Sequence, residues 1–292
     1  MAYFKWEVML KAVRGHFTVE ATQYQGMSLS MGSDDQKRSN STVPAGKLSV
    51  LVPVYNERNT ILPLIERLQR VPIDMEILVA DDGSSDGTTD VLRDKVVGHY
   101  QYVKVFFHTH NQGKGSAIRT VIQHATGQFS VIQDGDMEYD PNDFVAMMSY
   151  MVEHDCDALY GSRFINGRPK MAWPNYVVNR LLALLVRLLY GTKMTDEATC
   201  YKMFRTDLLK SVPLICQRFE FCPEVTAKVL RSGYHIDEIP IHYEARSYAA
   251  GKKIRWNDGV QAFWTLIRYR WWHPSKRRVQ PSDESDRSTQ PS

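Results

Sequence analysis

The chain has 292 residues, 43% of them hydrophobic and 24% charged, the balance of a globular protein that buries a real core in one large domain or two small ones. A formal net charge of +3 gives no ground for nucleic-acid binding, and four cysteines (Cys156, Cys200, Cys216, Cys222) without Cys-x-x-Cys spacing argue against zinc and for the reduced thiols of a cytosolic protein. No run of 18 apolar residues occurs, so no transmembrane helix is expected, and the charged N-terminus lacks the apolar centre of a secretory signal.

Residues 1–46 read as an extension, with the Ser, Gln, Asn, Gly and Asp of 22–46 favouring a disordered linker. Phe4, Val8, Leu10 and Val13 stand partly on one side of a short helix over 3–13. The folded body is expected over 47–273, and the Pro, Ser and charge of 274–292 read as a free tail. Within the body, Leu48–Val52 is a continuous apolar run ending at Pro53, which predicts a buried strand. Glu57–Gln69 follows with Ile61, Leu64, Ile65 and Leu68 at helical spacing. Met75–Ala80 is a second strand, and it runs into the polar stretch Asp81–Gly87 before a helix over Thr88–Lys95. Tyr102–Phe107 is a third strand, and Gly113–His124 a helix with Ile118, Val121 and Ile122 on one side. Phe129–Ile132 is a fourth strand, Phe144–Glu153 a helix and Ala158–Tyr160 a short fifth strand. Strands spaced by such helices predict βαβ units and a mostly parallel sheet, which binds ligands beyond the carboxyl ends of its strands.

Past the fourth strand the chain turns acidic, with Asp134, Asp136, Glu138 and Asp140 at alternate positions. Gly135 suits a tight turn, and Pro141 the first turn of a helix capped by Asp140. Carboxylates this close repel, and a divalent cation relieves that. Mg²⁺ and Mn²⁺ take oxygen ligands, and Mg²⁺ is usually held by one or two carboxylates plus substrate phosphates. The pattern fits a metal–diphosphate site on Asp134 and Asp136 with Glu138 as third ligand. Taken alone, it fits a solvated helix-capping loop as well.

Three strand ends, at Tyr55–Glu57, Asp81–Asp82 and Asp134–Asp136, face one crevice in such a sheet. No Gly-x-Gly-x-x-Gly follows the first strand and no Walker sequence is present. Asp81 or Asp82 either accepts hydrogen bonds from a nucleobase or ribose or caps the next helix, a role that suits Asp86 better. Asn111–Gly115 either brings Lys114 and backbone N–H groups to a phosphate or is a glycine-rich turn. Arg163, just past the fifth strand, either forks onto a phosphate or pairs with a carboxylate.

Together, Val52–Glu57, Asp81–Ser84, Asn111–Gly115, Asp134–Pro141 and Gly161–Arg163 resemble, in order, the family 2 glycosyltransferases of the GT-A fold. The likeness covers about 47–256, and the branch is that of dolichol-phosphate mannosyltransferases and bacterial polyprenyl-phosphate glycosyltransferases. It implies an α/β GT-A fold with a mostly parallel central sheet flanked by helices, and amphipathic helices at the C-terminal end. It also implies a metal-dependent inverting transferase, peripheral on the cytosolic membrane face. Such an enzyme moves a hexose from a GDP-mannose or UDP-glucose type of donor to a polyprenyl phosphate.

By the same resemblance Pro53, Tyr55, Glu57 and Asp81 surround the nucleotide, and Asp134, Asp136 and Glu138 surround Mg²⁺ or Mn²⁺, although Gln is frequent where Glu138 stands. Arg163 meets the acceptor phosphate. The family's second arginine and its serine are replaced by Asn175 and Asn179, with Arg180 as the compensating cation. Asp196 and Glu220 flank the donor sugar, and either is a candidate base if the acceptor is a carbohydrate hydroxyl. The basic stretch Arg246–Arg255 matches a lid whose Lys252 and Lys253 act on the leaving diphosphate. A catalytically silent nucleotide-binding module is the remaining reading.

Two apolar segments complete the chain. Asn179–Tyr190 is too short to span a bilayer and suits either an interfacial or a core helix. Over 257–273, Phe263, Trp264, Tyr269, Trp271 and Trp272 interleave with Arg268 and Arg270, the pattern of an amphipathic interfacial helix.

Overall fold

The computed structural model describes residues 46–245 and 256–274. They belong to one compact unit, Val43–Ser292. In chain order the elements are β1 (Leu48–Val54), α1 (Ile61–Leu68), β2 (Met75–Asp81), α2 (Thr88–Lys95), β3 (Val103–Phe107), α3 (Lys114–His124), β4 (Phe129–Ile132), α4 (Asp143–Glu153) and β5 (Ala158–Ser162). There follow α5 (Trp173–Tyr190), β6 (Lys202–Arg205), α6 (Thr206–Ser211), α7 (Phe221–Arg231), β7 (Asp237–Pro240) and α8 (Trp256–Tyr269).

The seven strands form one sheet in the order β3-β2-β1-β4-β6-β5-β7. Only β6 runs against its neighbours, β4 and β5; the other pairs are parallel. β1, β2, β4 and β5 are buried along their whole length. That is why they read as largely apolar runs rather than as alternation. Strand order reverses between β1 and β4, so the carboxyl ends of those two strands border the crevice where such sheets bind ligands.

Pro53 does not end the first strand: β1 continues to Val54, with Pro53 in register with Ala80. Val54 O accepts the Asp82 N–H, whereas Leu51 O accepts the Gln133 N–H. Odd positions of β1 therefore turn toward β4, whose pairing stops at Ile132. The nitrogen of Pro53 faces a place where no ladder bond is made, and its missing donor costs little.

α1 begins at Ile61 rather than Glu57, because Glu57–Thr60 forms a turn in which Glu57 O accepts the N–H groups of Thr60 and Ile61. Its Ile61, Leu64, Ile65 and Leu68 are fully buried, each stabilising by about 1.5–3 kcal/mol. α4 begins at Asp143; Pro141 and Asn142 form a preceding turn, and Asp140 Oδ1 accepts the Asn142 N–H at 3.0 Å. So Asp140 caps that turn and not the helix itself.

α5 starts with Pro174 in its first turn and ends at Gly191, whose φ of +70° suits glycine at a helix end. Leu182, Ala183 and Val186 are buried, while Leu184 and Leu188 are exposed. The helix is thus a core element on one side and an uncovered apolar one on the other. α8 ends at Tyr269 instead of 273 and divides its aromatics: Tyr269 is buried with Leu266, and Trp264 and the following Trp271 are exposed. The two helices are joined where Tyr190 Oη donates to Leu266 O at 2.6 Å. The extension over 1–46 except Gly46, the tail beyond 274 and the basic stretch 246–255 lie outside the described residues.

Candidate active site

The acidic turn leaves β4 at a pinned point. Tyr201 Oη donates to Gln133 Oε1 at 2.7 Å, and Gln133 Nε2 donates to Asp134 O at 2.9 Å. A Cβ at Gly135 would lie 3.4 Å from Glu57 Cγ, so the turn packs against the loop that follows β1. Met137 holds φ at +63°, a strained value for a side chain of its size and of a kind that collects at functional sites. Asp136 Oδ1 accepts the Glu138 N–H at 3.1 Å.

Glu138 is tied to the segment that follows β7. Its Oε2 accepts the Tyr243 hydroxyl at 2.7 Å, its backbone oxygen accepts the Glu244 N–H, and Tyr139 bridges to Tyr243. Among the described residues no three acidic, His or Cys side chains gather into a metal-holding group. Asp134 and Asp136 sit in the turn itself, and Glu138, the expected third ligand, shares one carboxylate oxygen with Tyr243. Glu138 anchors the chain that leads toward the basic stretch.

Asp134 has a cation beside it. Lys114 Nζ lies 2.5 Å from Asp134 Oδ1, with Cys200 Sγ at 3.6 Å and the Phe219 ring at 5.9 Å. Burial works against the ammonium, but Asp134 outweighs it and holds the Lys114 pKa well above the usual range. The loop carrying Lys114 is fixed from below by Asp82, a buried carboxylate that accepts the N–H of Gln112 at 2.9 Å and of Gly113 at 2.7 Å. Asp82 also meets His108 Nδ1 at 2.7 Å. The sequence offered Asp82, as an alternative to Asp81, either as an acceptor for a nucleobase or ribose or as a helix cap; its backbone partners lie about thirty residues on, in the run of donors at Asn111–Gly115.

Around the other two strand ends, Pro53 is buried and Tyr55 and Glu57 are half-buried. Asp81 is buried, with one oxygen accepting Ser84 N–H and Oγ–H and the other accepting the Thr89 hydroxyl. Asn56 donates its N–H to Ser84 Oγ and accepts the Ser85 N–H, which laces the loops after β1 and β2 together. Asp86 accepts the Thr88 N–H at 3.0 Å, the cap expected of it.

Arg163 is found with a carboxylate. Nε and Nη2 fork onto Asp196 at 2.7 and 2.8 Å, its N–H adds a bond at 3.0 Å, and the side chain is 7% exposed. Burial opposes the guanidinium charge, and Asp196 reverses that and raises its pKa further. Asp196 is fully buried under this fork, as the counter-ion of Arg163. The Arg163 guanidinium also lies 5.1 Å over the Tyr243 ring, which links it to Glu138 and the acidic turn.

Arg180 donates to Thr195 O at 3.1 Å. Its guanidinium stands 5.5 Å from the Phe164 ring, and that of Arg163 stands 5.6 Å from the same ring. Two cations thus flank one aromatic. Glu220 sits at the N-cap position of α7 with a buried Oε2 that has no hydrogen-bond partner among the described residues. Asn175 Nδ2 is likewise buried and without a partner among the described residues, and Asn179 Nδ2 approaches Met171 Sδ at 3.8 Å. Lys252 and Lys253 lie outside the described residues.

A doubly wound sheet with an acidic pair at its switch point and laced polar loops on either side defines a GT-A fold transferase. The chain belongs to glycosyl transferase family 2, whose family description matches residues 49–212, more than half of its length. It is 28% identical over 225 residues to the dodecaprenyl-phosphate galacturonate synthase of Rhizobium johnstonii, covering 73% of this chain and 64% of that protein. The chain thus spans just under two thirds of that relative's length. It is 25% identical over 217 residues to the polyprenol monophosphomannose synthase of Mycolicibacterium smegmatis, covering 72% and 82% of the two chains. Among solved structures, the glucosyl-3-phosphoglycerate synthase of Mycobacterium tuberculosis, held with Mn²⁺, UDP and glucosyl-3-phosphoglycerate, superposes with a TM-score of 0.58. Its identity is 17%, with 77% of this chain and 80% of that one covered, a likeness of fold alone.

Proposed function

We propose that this glycosyltransferase moves a hexose, with inversion, from a nucleotide-diphosphate sugar to a polyprenyl phosphate, with Mg²⁺ or Mn²⁺. The observation that carries the reading is the Asp134–Gly135–Asp136 turn at the switch point, with Lys114 Nζ in contact with Asp134. Two hard oxygen donors beside an anion-binding crevice fit a cation that takes one or two carboxylates and completes its shell with substrate phosphates. The cation, when bound, neutralises charge on the leaving diphosphate. Asp134 and Asp136 would hold it, while Tyr55, Glu57 and the loop organised by Asp81 line the nucleotide side. Lys252 and Lys253 remain assigned to the diphosphate.

Two named relatives, both polyprenyl-phosphate sugar synthases, support the acceptor class. So does the gathering of two guanidinium groups, Arg163 and Arg180, at 5.6 and 5.5 Å from the Phe164 ring, where an acceptor phosphate would compete with Asp196 for Arg163. In the reaction, an acceptor phosphate oxygen forms the new bond to the anomeric carbon as the bond to the donor diphosphate breaks. A phosphate is already an oxyanion, so the enzyme need only align it and stabilise the leaving group. A carbohydrate hydroxyl would need a general base; of the two candidates Asp196 is paired with Arg163, which leaves Glu220 for that reading.

No helix among the described residues is long and apolar enough to cross a membrane. The uncovered apolar residues of α5 and α8, next to the exposed Arg268, support peripheral docking on the cytosolic face. The test is donor turnover with GDP- and UDP-sugars and a short polyprenyl phosphate, together with calorimetry of Asp136→Asn. Turnover should require the lipid phosphate, and the folded variant should lose Mn²⁺-dependent nucleotide binding. Unchanged binding in Asp136→Asn would remove the metal assignment.

A further inference from the structure

The Lys114 ammonium has one carboxylate partner among the described residues, Asp134 at 2.5 Å. Its other neighbours are a weak acceptor, Cys200 Sγ, and the face of Phe219. The backbone beneath it is held on two sides. Asp82 grips the N–H groups of Gln112 and Gly113, and Gln217 O accepts the Ser116 N–H at 3.0 Å. A Cβ at Gly113 or Gly115 would meet the carbonyl oxygen of Gln217 or Cys216 at 2.5 Å. Any change of partner must therefore be made by the flexible stem of the lysine and not by its loop.

Asp134 is also one of the two carboxylates proposed to hold a divalent cation. An ammonium and a dication on one carboxylate repel, and the pair is mostly buried, with side-chain exposures of 17% and 22%. A lysine stripped of Asp134 would be an unpaired charge in a poorly hydrated crevice. The chemistry that resolves both problems at once is a second anion close to the cation, and the donor diphosphate is such a group.

We propose that Lys114 is an internal counter-ion that makes metal binding and nucleotide binding depend on each other, a proposal that rests on the reading of Asp134 as a metal ligand. Without nucleotide, Lys114 holds Asp134 and competes with the cation. With nucleotide, the ammonium passes to the diphosphate and Asp134 is released. Each ligand then raises the affinity of the other by the same factor. Lys114 in this way keeps the crevice neutral when empty and directs the cation to the loaded enzyme.

The experiment measures Mn²⁺ binding to the full chain from the resonance of the free aqueous ion, without nucleotide and then with GDP and with UDP. Nucleotide binding at saturating Mn²⁺ is measured by calorimetry. Lys114→Met should bind Mn²⁺ alone roughly tenfold more tightly than the wild type and should bind nucleotide with Mn²⁺ roughly tenfold more weakly. Lys114→Arg, which can still pair with Asp134, should keep the weak Mn²⁺ binding of the wild type. Lys114→Gln serves as the neutral variant if circular dichroism shows the Met variant unfolded.

Unchanged or weaker Mn²⁺ binding in a folded neutral variant would overturn the counter-ion role. If Asp136→Asn still abolished Mn²⁺-dependent nucleotide binding, the metal reading would stand without it. Wild-type protein that bound neither Mn²⁺ nor nucleotide, or an Asp136→Asn variant that bound both normally, would overturn the metal reading and this proposal together.

Discussion

The side chains of the crevice are engaged in pairs, and each pair sets what a substitution does. Arg163 and Asp196 are both buried and joined by a fork, so removing one leaves the other as an unpaired charge. Arg163→Ala should lower stability by about 3–5 kcal/mol in urea unfolding, and adding Asp196→Ala should recover part of that loss. Additive losses in the double variant would mean that the two do not depend on each other. Transfer to a polyprenyl phosphate by any folded fraction should fall more than donor hydrolysis, because only transfer uses the acceptor anion. Glu138 follows the same logic at lower stakes: one of its carboxylate oxygens accepts the Tyr243 hydroxyl.

At the level of elements, the C-terminal helices are tied to the crevice through one buried carboxylate. Glu224 of α7 accepts Lys228 Nζ at 2.6 Å, the N–H groups of Ile215 and Cys216, and the Tyr269 hydroxyl of α8 at 3.1 Å. The segment it holds runs on to Gln217, which packs against the Lys114 loop. Burial raises the Glu224 pKa, but Lys228 and the two N–H groups outweigh it and hold the carboxyl below its usual range. A carboxyl with a lower pKa in the folded state contributes stability that is present above the unfolded value. That contribution is lost as pH falls through the folded value. Glu224→Gln should therefore cost about 3 kcal/mol near neutrality. The gap in melting temperature to the wild type should stay level down to about pH 5 and narrow below about pH 4.3. A gap that did not change with pH would show that Glu224 acts by packing alone.

Across the whole molecule, the candidate site and the uncovered helix faces are separate features, and each can be altered without the other. Leu188 is 74% exposed on α5 and Trp264 65% exposed on α8, so neither contributes much to the core. Leu188→Ser with Trp264→Ser should leave unfolding and nucleotide binding within about 0.5 kcal/mol of the wild type. The same double variant should lose most of its sedimentation with vesicles containing anionic lipid. Equal sedimentation of variant and wild type would mean that these faces do not meet the bilayer.

Much of this architecture is local and was legible in the sequence. The apolar runs of β1, β2 and β4 and the helical spacing of Ile61, Leu64, Ile65 and Leu68 are periodicities within a few residues, and they place the strand ends that border the crevice. The two late strands escaped because each spans four residues and mixes charge with few apolar positions, as in Lys202–Arg205 and Asp237–Pro240. What each charged side chain does was decided by partners far away in the chain. Arg163 finds Asp196 33 residues on, and Glu138 finds Tyr243 105 residues on. Lys114 and Asp134 meet because α3 and β4 both open onto one end of the sheet. Residue type and local period determined where charge collects; only the tertiary structure decided which charges neutralise each other, because pairing depends on strand order and not on spacing along the chain.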